Sequence, residues 1–84
     1  MTKIELEGRV REIVGRVLDL QPASVRLEAD LKDDLGATSL DRYTVLMDME
    51  EAFGLDLSDV PEEILEARIL KVEDIVTFLA ERLG

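Results

Sequence analysis

Along the first twenty residues, Leu6, Val10, Ile13 and Val17 recur at helical spacing, and Val14 and Leu18 widen the stripe. Just ahead of them, Thr2-x-x-Glu5 is a capping-box pattern, which predicts a helix starting near residue 3. The stripe stops near Asp19, before Pro22. Between residues 19 and 37 no period holds, although Val25, Leu27, Leu31 and Leu35 are scattered apolar anchors. The pattern predicts a long loop pinned to the core. Loops of this length are uncommon in compact domains and are usually functional or partly helical.

A second helix is predicted from Ser39 to Phe53, with Thr38 or Ser39 able to cap it and Gly54 able to end it. Leu40, Tyr43, Leu46, Met47 and Phe53 are expected to face inward, and Asp41, Asp48, Glu50 and Glu51 mainly outward. Met47 and Met49 suit either a core or a plastic contact surface. Asp59-Val60-Pro61-Glu62 reads as the start of a short helix over 60–67, with Pro61 at an early helical position. Val72, Ile75, Val76, Leu79 and Leu83 predict a last helix, with Glu73 and Asp74 placed to suit its dipole. No strand pattern or internal repeat stands out. The expected fold is all-α: one domain over residues 1–84, built as a small bundle of three main helices and one short one.

Composition narrows the possibilities. An 84-residue chain buries only about 60–65 % of its unfolded surface. A thin core is expected, with stability near the lower end of about 5–15 kcal/mol. There is no Cys and no His, so no disulfide framework and no Cys-based zinc site is available. No apolar run approaches the ~20 residues of a membrane span, and Met1-Thr2-Lys3-Ile4-Glu5 is no signal peptide. A cytoplasmic monomer is expected.

The net charge of −10 is unevenly placed. Residues 28–63 hold twelve acids against Lys32 and Arg42, which accounts for −10; the segments before and after sum to +1 and −1. Such a patch repels nucleic acid and anionic membranes and steers basic protein surfaces toward it. It also serves as a plain solvated face. Its centring on Ser39 favours a docking surface.

Ser39 has three readings. As a helix N-cap it would contribute about 1 kcal/mol. As a nucleophile it lacks the neighbouring base that serine needs, and Gly36-Ala37-Thr38-Ser39-Leu40 is not G-x-S-x-G. As an acceptor of a phosphate-containing group it needs no local base, because a modifying enzyme supplies one, and a helix N-terminus favours the anion. The acids of the loop fail the EF-hand pattern: counted from Asp30, the third position is Lys32 and the sixth Leu35. No dedicated metal site is expected.

Asp33-Asp34-Leu35-Gly36-Ala37-Thr38-Ser39-Leu40-Asp41, followed by Leu46-Met47-Asp48-Met49-Glu50-Glu51-Ala52-Phe53, resembles the acyl carrier proteins of type II fatty acid and polyketide synthesis. The resemblance covers nearly the whole chain. It implies a 4′-phosphopantetheine arm on Ser39, attached by a Mg²⁺-dependent phosphopantetheinyl transferase, with acyl groups held as thioesters. The chain would then be a carrier and not an enzyme. The resemblance further implies that Asp41, Glu50 and Glu51 dock basic patches on acyl-loading, condensing or tailoring enzymes, with Leu40 and Met47 as apolar contacts among them. It implies an acyl cleft lined by Tyr43, Leu46, Ile64, Ile69 and Val72.

The chain departs from the family's usual Leu-Gly-x-Asp-Ser-Leu at Thr38, which stands where Asp precedes the serine. Arg42 and Thr44 replace a neutral and an acidic residue, and the stretch from Phe53 to Ile69 is slightly longer. These departures predict a specialised carrier, in secondary metabolism or an unusual lipid pathway. Two other readings stand beside it: an aminoacyl or peptidyl carrier, and an unmodified carrier-like adaptor that binds a basic partner. A small hydrolase using Ser39 is disfavoured by the absence of His.

Overall fold

A computed structural model describes residues 1–83. Its helices are α1 (Lys3–Leu18), α2 (Ser39–Phe53), α3 (Glu62–Arg68) and α4 (Val72–Leu83), with one 3₁₀ turn at Pro22–Ser24. The all-α bundle of three main helices and one short one is as the hydrophobic pattern predicts.

The capping box at Thr2 is complete: its Oγ1 accepts from the Glu5 N–H at 3.2 Å, and Glu5 Oε1 accepts from the Thr2 N–H at 3.1 Å. α1 closes at Asp19, whose φ of 59° is left-handed; Asp tolerates that region better than most residues. The chain then folds back so closely that a Cβ on Gly15 would lie 2.6 Å from the Leu20 carbonyl oxygen. Only glycine fits there. α1 is central and packs against α2, α4 and the 3₁₀ turn. Leu6, Val10, Ile13 and Val14 fill the contact.

The loop from 19 to 37 is pinned by more than apolar anchors. Arg11 Nε donates to the Val25 carbonyl at 2.8 Å. Leu31 N–H donates to Leu70 O, Val72 N–H to Ala29 O and Glu73 N–H to Leu27 O, at 2.8–3.1 Å. This short antiparallel contact, centred on Asp30 and Lys71, ties the loop to the start of α4. Val25, Ala29, Leu31 and Ala37 are buried. The loop acids build the turn itself. Asp30 Oδ1 accepts from the N–H groups of Lys32 and Asp33, and Asp34 Oδ2 accepts from the N–H of Asp30.

Three expectations are corrected. The inward face of α2 is Val45 and Met49, with Leu46 and Phe53 partly buried, whereas Leu40, Tyr43 and Met47 are exposed. α3 begins at Glu62 rather than residue 60, because Pro61 keeps an extended ψ of 144° and caps the helix from outside. On α4, Leu83 is exposed and Phe78, absent from the predicted stripe, is buried. The Arg68 and Arg82 guanidinium groups each lie 5.4 Å from the Phe78 ring centre, within cation–π range. Arg68 also pairs with both carboxylate oxygens of Glu81, at 2.9 and 3.0 Å.

Every buried side chain among the described residues is apolar. Among the same residues, no helix is long and apolar enough to cross a membrane, and no cluster of three carboxylates is placed to hold a metal ion.

Candidate functional site at the start of α2

The turn that leads into α2 sets the position of Ser39. Gly36, at φ 71°, reverses the chain, a conformation that glycine adopts without steric cost. Buried Ala37 follows, its N–H donating to Leu31 O at 2.8 Å. Thr38 is the N-cap: its Oγ1 accepts from the Asp41 N–H at 3.1 Å, and Asp41 Oδ2 accepts from the Thr38 N–H at 3.0 Å. Thr38 therefore takes the capping role that was open to either residue. Ser39 becomes the first helical residue, exposed, with its hydroxyl not required for the cap.

Ser39 borders a cavity of about 40 Å³ between α2 and α3. Leu31, Val45, Leu46, Leu65, Ile69 and Ile75 form its apolar wall; Ser39, Arg42, Tyr43, Glu62 and Glu66 complete the lining on the solvent side. This volume is about that of three water-sized probes, so a chain of several methylenes requires the walls to part. An adjoining depression of about 310 Å³ shares Tyr43, Leu46, Glu62 and Leu65 with it. These four side chains are the partition between the two spaces. Of the residues expected to line a cleft, Tyr43, Leu46 and Ile69 border the cavity. Ile64 and Val72 do not: Ile64 lies on the exposed side of α3, and Val72 is sealed in the core. The contributions of Leu31, Val45, Leu65 and Ile75 were not foreseen.

The Tyr43 phenol lies against the Glu62 carboxylate. Hydrogen bonding to that carboxylate raises the phenol's pKa above its ordinary value. Partial loss of solvent and the charges of Glu62 and Glu66 add to the rise.

The outer face of α2 is part apolar and part acidic. Leu40 and Met47 are 74 % and 60 % exposed and lie on the same face, about two helical turns apart. Glu51 is exposed. Asp41 is engaged in the capping box. Glu50 is committed differently: its Oε2 accepts from the Leu57 N–H at 3.1 Å and so holds the segment after Gly54 against α2. Asp48 approaches Arg16 of α1 at 3.8 Å.

Ser39 is thus an exposed serine at the head of an acidic helix, bordering an apolar cavity. The family described as "Phosphopantetheine attachment site" matches residues 8–79. The acyl carrier protein of Thermotoga maritima is 38 % identical over 80 residues, covering 95 % of this chain and 94 % of its own. That of Solidesulfovibrio magneticus is 38 % identical over 76 residues, covering 90 % and 92 %. The chain belongs to the acyl carrier protein family. It is a carrier rather than an enzyme, and its prosthetic group is 4′-phosphopantetheine.

Proposed function

We propose that Ser39 is the attachment point of the 4′-phosphopantetheine arm and that the cavity between α2 and α3 shelters the acyl cargo. The observation that carries this reading is the position of the Ser39 hydroxyl: exposed, relieved of capping by Thr38, and bordering the cavity. The residues present fit the group. A phosphodiester there sits at the N-terminal end of α2, where the helix dipole favours an anion. When bound, the arm supplies a thiol for thioester formation, in a chain that has no cysteine of its own.

Leu40, Met47 and Glu51 form the surface for basic partners, with Asp41 and Glu50 adding charge beside it. Those partners are a phosphopantetheinyl transferase and acyl-loading, condensing or tailoring enzymes. Thr38, Arg42 and Thr44 favour a specialised pathway, polyketide or unusual lipid synthesis, over housekeeping fatty acid synthesis.

The test is an intact-mass measurement after incubation with coenzyme A, Mg²⁺ and a broad-specificity phosphopantetheinyl transferase, beside Ser39→Ala. The expected result is a gain of one phosphopantetheinyl mass in the native chain and none in the variant. A folded native chain that gains nothing from several transferases overturns the assignment and leaves an unmodified adaptor.

A further inference from the structure

Arg42 is out of place by charge and by position. It is the only Lys or Arg between residues 33 and 67, a stretch with eleven Asp and Glu. It lies one helical turn after Ser39, and both residues line the same cavity. Residues three apart on a helix are neighbours, about 5–6 Å between Cβ atoms, and long helical side chains lean toward the N-terminus. Arg42 and Ser39 are therefore neighbours on one face of α2. It is half-buried, yet among the described residues no carboxylate lies within 4.0 Å of its guanidinium, in contrast to Arg9, Arg16, Arg26, Arg68 and Arg82. A partly desolvated cation gains most from an anion that arrives beside it.

The positive end of α2 is already answered by Asp41, whose carboxylate accepts from the Thr38 N–H. A second anion on Ser39 shares that end of the helix dipole with the Asp41 carboxylate, and a cation within reach stabilises it further. We infer that Arg42 is a positioning residue that pairs with the phosphodiester on Ser39 and so aims the arm along α2 toward the cavity. This rests on the assignment of the arm to Ser39. Arginine suits the role because its planar guanidinium donates to two phosphate oxygens at once.

The test compares the apo and arm-bearing forms of the native chain, Arg42→Gln and Arg42→Lys, each checked by intact mass. The readouts are the nitrogen-15 resonance of Arg42 Nε and the phosphorus-31 resonance of the phosphodiester. The expected result is a shift of the Nε signal when the arm is added, before any acyl group is loaded. The phosphorus signal should be displaced in Arg42→Gln and only partly restored in Arg42→Lys, which keeps the charge but not the two-pronged donor. An arm attached at Ser39 with an unmoved Nε signal overturns the inference alone, as does a signal that moves only when a carboxylate-bearing acyl group is loaded. A chain that takes no arm overturns the attachment assignment and this inference together. The Nε measurement on the native chain does not depend on how either variant folds.

Discussion

The carboxylate of Glu50 accepts a hydrogen bond from the backbone N–H of Leu57, seven residues further on, at 3.1 Å. Glu51 beside it is exposed to solvent. Two adjacent acids of similar appearance thus have different tasks. A hydrogen bond to a charged group contributes about 1.5–3 kcal/mol, less where solvent competes for it. Glu50→Ala should lower unfolding stability by about 1–2 kcal/mol, whereas Glu51→Ala should stay within about 0.5 kcal/mol of the native chain. Urea unfolding of both variants checks this. Equal losses would remove the distinction.

Thr38 holds the start of α2 through the reciprocal bonds with Asp41. Thr38→Ala should cost about 1 kcal/mol of stability. Thr38→Asp retains an acceptor for the helix start and restores the acid that usually precedes the serine in this family. It should therefore speed loading by a housekeeping transferase. Loading rates followed by intact mass decide the matter, and an unchanged or slower rate counts against a specialised carrier.

Tyr43 is the only tyrosine, and there is no tryptophan, so its ionisation can be followed directly by phenolate absorbance. Its pKa is held up first by the hydrogen bond to Glu62. The folded form keeps the proton to higher pH than the unfolded form does. The stabilisation is therefore fully present below the ordinary tyrosine value of 10.0 and is lost as pH rises through the raised folded value. Glu62→Gln should bring the titration midpoint down toward that of the unfolded chain. A midpoint that ignores the substitution would show that Glu62 is not the cause.

Tyr43 also stands in the partition between the cavity and its neighbouring depression. Tyr43→Ala should join the two spaces and lengthen the acyl chain that can be sheltered. Thioesters of medium-chain acids on the variant should react more slowly with hydroxylamine than on the native carrier, with little change for acetyl. Equal rates for all chain lengths would place the cargo elsewhere.

The limits of α1 and α2 were legible in the sequence because each has a capping pattern at one end and a turn-forming residue at the other. The facing of α2 was not. Leu40, Tyr43 and Met47 are spaced three and seven apart, a stripe as regular as the buried one through Val45 and Met49. With apolar residues on two faces, only packing against α1 decides which turns inward. Val72 is buried as its place in the apolar stripe of α4 predicts, and the cleft position came only from the family resemblance; it does not line the cavity. The backbone bond from its N–H to Ala29 O joins segments more than forty residues apart, and no local pattern announces it. Ser39 and its setting were legible because the features there are consecutive in the chain.

The two ends of α3 are held unequally. At its C-terminal end Arg68 grips Glu81, Ile69 is buried, and Leu70 O accepts from Leu31 N–H. At the other end Pro61 offers no side-chain cap, and Asp59 meets Arg82 only at 3.6 Å across exposed surface. The C-terminal end of α3 is thus fixed by backbone and buried contacts, whereas at Glu62 the tie to α2 is the side-chain pairing with Tyr43. On the proposed reading of the cavity, cargo enters from the solvent side, at the Glu62 end of α3.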